Sequence, residues 1–142
     1  MAIASQAVRT TNITVANAAC QLRAAAGTKV RVLETSLVQS AAGAASYGFG
    51  RPAALAVTPA TSTLFQRDDS ADPACVTNID LTWATSPTAP AIYHRRWNSA
   101  ATIGVGIILT FPRGLTVPIG GAVVWFNITA TVAVDANFAI DE

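Results

Sequence analysis

Residues 111–127 read "FPRGLTVPIGGAVVWFN", with Pro112, Gly114, Pro118, Gly120 and Gly121 set around a short apolar run that carries Trp125. Such a stretch fits a ligand-cradling glycine loop, a membrane segment or the corner of a β-sandwich. The first reading fails on pattern. Neither this stretch nor "GFGRP" is GxGxxG or GxxxxGK[ST], and both lie between β-like runs instead of opening a helix whose N-terminus would hold an anion. The second fails on length, since the longest apolar run, residues 100–111, contains Thr and Gly and is far short of the roughly 20 residues a spanning helix needs. A β-corner is left. In this reading Pro112 and Gly114 end a long strand at Phe111, and a short crossing segment carries Leu115 and Val117. Gly120-Gly121 then turns the chain into "AVVWFNI". There Val123 and Trp125 share one face, Val124 and Phe126 the other. Apolar residues on both faces indicate a central strand or one covered by a neighbouring subunit, which leaves Trp125 open between core and subunit contact.

The flanking runs carry the same period of two. "ATIGVGIILTF" puts Ile103, Val105, Ile107, Leu109 and Phe111 on one face and Gly104, Gly106, Ile108 and Thr110 on the other. "NIDLTW" sets Ile79, Leu81 and Trp83 against Asn78, Asp80 and Thr82. "KVRVLETSLV" starts with Val30 and Val32 inward, then slips phase at Leu33, as a bulge or a strand buried on both faces would. "PAALAVTP" fits an edge strand or the start of one, "AIYHRRW" is a further strand, and "ANFAI" brings Ala136, Phe138 and Ile140 into step. "NAACQLRAAAG" admits a two-turn helix from Asn17 to a Gly27 cap, or a strand hairpinned through Gly27 into "KVRVLE"; the short link favours the strand. The predicted fold is all-β: a jelly-roll-like antiparallel β-sandwich of about eight short strands in one domain, residues 17–142. Residues 1–16, polar and poor in large side chains, are expected to form a flexible N-terminal arm.

Charge is scarce. Of 142 residues 12% are charged and 51% hydrophobic, and the net charge is +1, against about 25% charged in an ordinary soluble domain. So weakly solvated a surface suggests cover by other copies or another protein. Direct nucleic-acid binding is not expected, because phosphate recognition draws on clustered Lys and Arg, and the chain has one lysine and scattered arginines. Arg95-Arg96, the only adjacent basic pair, reads as two outward arginines on a strand. The N-terminus has neither the charged nor the apolar region of a secretory signal, and no membrane association is expected. Cys20 and Cys75 are widely spaced and outside any CxxC, which favours two buried thiols without deciding whether they pair.

No catalytic constellation emerges. His94 is the one histidine, no serine sits in a GxSxG elbow, and a metal site of cupin type would need several histidines. Asp68, Asp69 and Asp72 in "RDDSADP" lack the pattern of a calcium loop and read as a solvated turn in which Asp68 or Asp69 bonds nearby backbone. The other acids are few and scattered. The chain is therefore expected to be no enzyme, with no catalytic residues, metal or cofactor.

The order of segments "KVRVLETSLVQSA", "YGFGRPAALAVTP", "DPA", "LTWATSPTAP", an Arg-Arg pair, "ATIGVGIILTFPRGL" and "FAIDE" resembles small virion proteins of tailed bacteriophages, in particular the head-decoration or cement group. The resemblance covers roughly residues 18–142 and rests on turn and core patterns. It implies a jelly-roll-type sandwich that binds assembled major capsid protein on the capsid exterior, after synthesis in the host cytoplasm, and associates with itself as a homotrimer. Expected contact residues are the aromatics and arginines of "SYGFGR" and "YHRRW": Tyr47, Phe49, Arg51, Tyr93, Arg95, Arg96 and Trp97. The alternative is a tail- or neck-associated jelly roll in an adaptor role or recognising host carbohydrate through Trp83, Trp97 or Trp125. Strand alternation counts against that reading by turning Trp83 and Trp125 inward.

Overall fold

Eleven strands make up the computed structural model, which describes residues 2–10, 14–129 and 132–142. In chain order they are β1 (Ile3–Thr10), β2 (Asn17–Arg23), β3 (Val30–Gln39), β4 (Ala45–Gly50), β5 (Val57–Leu64), β6 (Gln66–Arg67), β7 (Asn78–Thr85), β8 (Tyr93–Ser99), β9 (Gly106–Val117), β10 (Ala122–Thr129) and β11 (Val134–Asp141). Two antiparallel sheets pack as a sandwich, one ordered β6-β1-β11-β3-β9 and the other β5-β7-β2-β10-β4-β8. The all-β sandwich expected from periodicity is present, with eleven strands in place of about eight. Among the described strands, no ladder joins two that are consecutive in the chain.

Residues 17–23 form a strand, but no hairpin follows. β2 lies in the six-stranded sheet and β3 in the five-stranded one. Six linking residues suffice to cross the roughly 10 Å between packed sheets, and the turn at Gly27 redirects the chain rather than pairing its neighbours. The phase slip read at Leu33 is a bulge: Val32 pairs with Ile140 and Glu34 with Ala139, leaving Leu33 extra. Val30, Val32, Thr35 and Leu37 are all buried on either side of it.

The expected N-terminal arm is instead largely a strand. Residues 3–10 pair with β11 from Ile3↔Asp141 to Thr10↔Val134 and with β6 through Ala4↔Arg67. Ala4, Val8 and Thr10 are buried, so small side chains serve where the sheets approach closely, and low hydrophobicity hid the strand. Arg9 and Asp135, partners in the ladder, close a two-pronged ion pair at 2.7 and 2.8 Å on the surface. Part of the predicted arm, residues 1 and 11–13, lies outside the described residues.

The corner predicted at Phe111 is likewise corrected. β9 runs on through Pro112 and Gly114 to Val117, because it is an edge strand and residues 111–114 bulge out opposite the single residue Leu33. A proline there removes no ladder hydrogen bond. The true turn follows: the Gly121 N–H donates to the Pro118 carbonyl at 2.8 Å, and Gly120 sits at φ +65°, a left-handed position that glycine occupies without strain.

Trp125 is core. On β10, fourth of six strands, Val123 and Trp125 face the other sheet while Val124 and Phe126 face outward, and all four are buried. Around Trp125 an aromatic group fills the interior. Phe49 lies 5.0 Å from the Trp125 ring and 6.0 Å from Phe111, and Tyr47 stacks on Trp97 at 5.5 Å.

The outward apolar face of β10 is covered by the chain itself. Ala18, Val124 and Phe126 form a second cluster with Trp83, Tyr93 and Ile128. Trp83 therefore departs from the inward position expected for it, while Ile79 and Leu81 keep theirs. The β5–β7 ladder has irregular register at Pro59–Ser62, which fits this change of side. Loops 51–56 and 86–92 close over the same face. The Ala54 N–H donates to Thr88 Oγ1 at 2.6 Å, the Thr88 N–H returns to the Ala54 carbonyl at 3.0 Å, and the Ala18 N–H donates to Ser86 Oγ at 3.3 Å. Beneath them, fully buried Asp80 accepts from Gln21 at 2.9 Å and from Arg23 at 2.8 and 3.1 Å, while the Gln21 carbonyl oxygen accepts from the Ala56 N–H. The hydrogen bond to Asp80 raises the Arg23 guanidinium pKa. No helix among the described residues is long and apolar enough to cross a membrane.

Candidate functional site

β8 and β9 are the edge strands on one flank of the sandwich. Arg51, just past β4, reaches β9 there, its Nη2 donating to the Thr116 carbonyl at 2.9 Å. β8 pairs only with β4, and register slips between Phe49↔Arg95 and Gly50↔Tyr93, so His94 is the extra residue of a bulge. The bulge spreads the side chains of "YHRRW" in several directions.

Trp97 turns in and stacks on Tyr47, and His94 tilts against Phe49 at 6.4 Å. Tyr93 turns out and lies flat over Gly48, where any Cβ would come within 2.3 Å of the ring. Its own ring takes the Arg96 guanidinium at 5.2 Å, a cation–π contact that orders both. Arg95 is exposed and donates Nη1 to the His94 carbonyl at 2.8 Å.

Among the described residues, none of Arg51, Arg95 and Arg96 forms an ion pair; the two pairs present are Arg9–Asp135 and Arg23–Asp80. A cleft of about 390 Å³ opens beside them, lined by Arg51, Ala53, Ala91, Ile92 and His94. Ile92, at this cleft, is 84% exposed; Ile103 and Ile108, each 65% exposed, lie toward the other end of β9. Burial lowers the His94 pKa below its ordinary value, and the cations Arg51 and Arg95 lower it further. Both effects favour the neutral imidazole.

Of the seven residues expected to form a contact surface, five gather at this flank: Arg51, Tyr93, Arg95, Arg96 and Trp97. Tyr47 and Phe49 do not belong to it. They are 1% and 0% exposed, because strand alternation with Gly48 and Gly50 turns both aromatics into the core. Burial also raises the Tyr47 hydroxyl pKa, against a 3.4 Å hydrogen bond from Gln39. Ile92 and Ala91 were missed as surface contributors. The signal was an apolar residue three positions ahead of Arg95, read only as part of a strand.

Elsewhere the chemistry is sparse. No group of three metal-ligating side chains occurs among the described residues. Asp69 Oδ1 accepts from the Ala71 N–H at 2.8 Å, the local turn expected of the 68–72 loop. Cys20 and Cys75 are buried and unbridged, and burial pushes the Cys20 thiol up to about 12. A shallow depression of about 480 Å³ on the outer face of the five-stranded sheet is lined chiefly by small or neutral side chains such as Ser5, Ala7 and Asn137. The flank built by β8 and β9 is thus the surface with the strongest chemical character. Compared with protein-family models, curated proteins and solved structures, the chain matches none.

Proposed function

We propose that this chain is a structural protein of a bacteriophage particle: a capsid decoration or cement protein that binds assembled major capsid protein on the capsid exterior. One observation carries the reading. The β8/β9 flank presents Arg51, Arg95 and Arg96 without acidic partners among the described residues, beside exposed Ile92, on a sandwich whose outer β10 face is already covered by its own chain. Arginine and aromatic side chains with an apolar surround are the composition of protein-contact hot spots. The sparse charge of the whole chain and its resemblance to the decoration group point the same way.

The mechanism is mechanical. A protein that binds the assembled lattice and not free coat subunits stabilises the lattice by mass action. Copies acting as trimers at local symmetry axes would clamp neighbouring coat subunits, with Arg51, Tyr93, Arg95, Arg96 and Trp97 at the contact.

The test is electron microscopy of particles carrying this chain, combined with co-sedimentation on assembled capsids and on free coat protein. Density on the capsid lattice and binding to assembled capsids alone are expected. Density confined to a tail or neck would replace the cement role with the adaptor role. Undiminished capsid binding by an Arg51→Ala/Arg95→Ala variant would remove this flank as the contact.

A further inference from the structure

We propose that the β8/β9 cleft receives the acidic 68–72 loop of a second copy of this chain, so that copies associate head to tail. The inference deepens the interface reading above, and rests on it in taking this flank as a contact surface.

Topology places the two surfaces back to back. β8 and β9 end their sheets on one flank, and β5 and β6 end them on the other. Cross-sheet contacts confirm the alignment: Phe49 of β4 meets Phe111 of β9, and Glu142, just past β11, accepts from Val76 and Thr77 ahead of β7. The 68–72 loop leaves β6 and is tied to the start of β1 by the Asp68 N–H, which donates to the Ile3 carbonyl at 2.9 Å. Loop and cleft therefore cannot meet within one molecule.

Charge then selects the pairing. The cleft flank holds Arg51, Arg95 and Arg96 with no ion-pair partner among the described residues. The loop holds Asp68, Asp69 and Asp72; its one cation, Arg67, is turned onto the Asp72 carbonyl and pairs with no carboxylate. In a chain of net charge +1 these are opposite concentrations of charge on opposite flanks. Asp68 and Asp69 are exposed, and the loop is braced by the Asp69–Ala71 bond and by the Asp72 N–H donating to the Asp69 carbonyl at 3.2 Å. A braced acidic turn with exposed carboxylates suits a cleft lined by Arg51, with Arg95 next to its lining residue His94. Apolar surface accompanies both partners: Leu64 and Val76 near the loop are 60% and 48% exposed, against Ile92 at the cleft.

Two different patches that recognise each other make a heterologous interface, which closes into a ring or runs on as a filament according to the rotation between copies. Exposed charges of this kind mainly steer and register the encounter and are screened by salt.

Sedimentation velocity of the purified full chain over a concentration series, at low and high salt, tests the pairing. Wild type is expected to self-associate, roughly tenfold more weakly at high salt. Arg51→Glu/Arg95→Glu and Asp68→Arg/Asp72→Arg should each weaken association by roughly tenfold or more, while an equimolar mixture of the two should associate again because the reversed charges complement each other. The mixture also guards against misfolding, since two misfolded variants do not rescue one another. A wild type monomeric at every concentration, either variant associating like wild type, or a mixture that stays monomeric would each overturn the proposal. Capsid co-sedimentation of the wild type distinguishes the readings: capsid binding by a wild type that never self-associates would leave the decoration role standing and remove this one.

Discussion

The indole of Trp125 donates its Nε1–H across the sandwich to Thr35 Oγ1 at 2.9 Å, and the Thr35 hydroxyl in turn donates to the Asn137 carbonyl, also at 2.9 Å. Both side chains are fully buried, on β10 of one sheet and β3 of the other. The relay fixes how the sheets face one another, because a buried indole N–H has nowhere else to go.

Thr35→Val keeps the shape and removes the acceptor. It is expected to cost about 1–3 kcal/mol, the penalty of an unsatisfied buried donor. Thr35→Ser retains the oxygen and should cost clearly less. Denaturant midpoints of the two variants measure this, and equal losses would mean that the methyl group matters and the bond does not.

Gly48 is held small by Tyr93, whose ring occupies the space a Cβ would need. Gly48→Ala should displace the ring, expose the outer cluster of Val124 and Phe126, and cost about 1–3 kcal/mol. Adding Tyr93→Ala should make the alanine at 48 nearly neutral relative to Tyr93→Ala alone. A double-mutant cycle in thermal unfolding shows it, and simple additivity would place the strain elsewhere.

The two ion pairs should differ sharply in worth. Asp80 is buried under its loops, and Asp80→Ala would strand Gln21 and Arg23; because Arg23 is a third exposed, the expected loss is about 2–4 kcal/mol. Asp135→Ala breaks a surface pair with Arg9 and should cost no more than about 1 kcal/mol. Comparable losses would contradict the burial difference.

His94 introduces a pH dependence with a definite sign. Its folded pKa lies below the ordinary value of 6.5, so the unfolded chain takes up the proton first. The stability it allows is complete above about pH 6.5 and is lost as pH falls through the lower folded value. Unfolding midpoints followed from about pH 7.5 to about pH 5 should drop in wild type and flatten in His94→Gln. An identical slope in both would assign the effect to other groups.

Legibility in the sequence followed the range of the interactions. The slip at Leu33, the alternation of Ala136, Phe138 and Ile140, and the two faces of residues 123–126 depend on near neighbours and were read correctly. β1 was not, because its support comes from β11 and the Arg9–Asp135 pair, 126 residues apart. Tyr47 and Phe49 were taken for surface because "SYGFGR" looks like a loop. Its glycines instead make room on the outer side while the aromatics fill the core. Trp83 followed its strand's alternation on paper and left it in the fold, where an irregular register with a partner strand changed its side. Burial of Asp80 was beyond reach for a related reason, since Gln21 comes to it, and loop residue Ala56 to Gln21, from distant parts of the chain.

That no ladder joins consecutive strands has a kinetic meaning. A chain with hairpins zips each one as soon as its turn forms. Here β3 must wait for β9 and β11, β2 for β7 and β10, and most of β1 for β11, so loop-closure entropy is lost before these pairings reward it. The five-stranded sheet holds almost no native pairs until β9 and β11 are made, and refolding of the chain belongs at the slow end of the ms–s range known for sandwiches. Its nascent form, with unpaired strands and apolar faces open together, is the stage most exposed to aggregation and to chaperones.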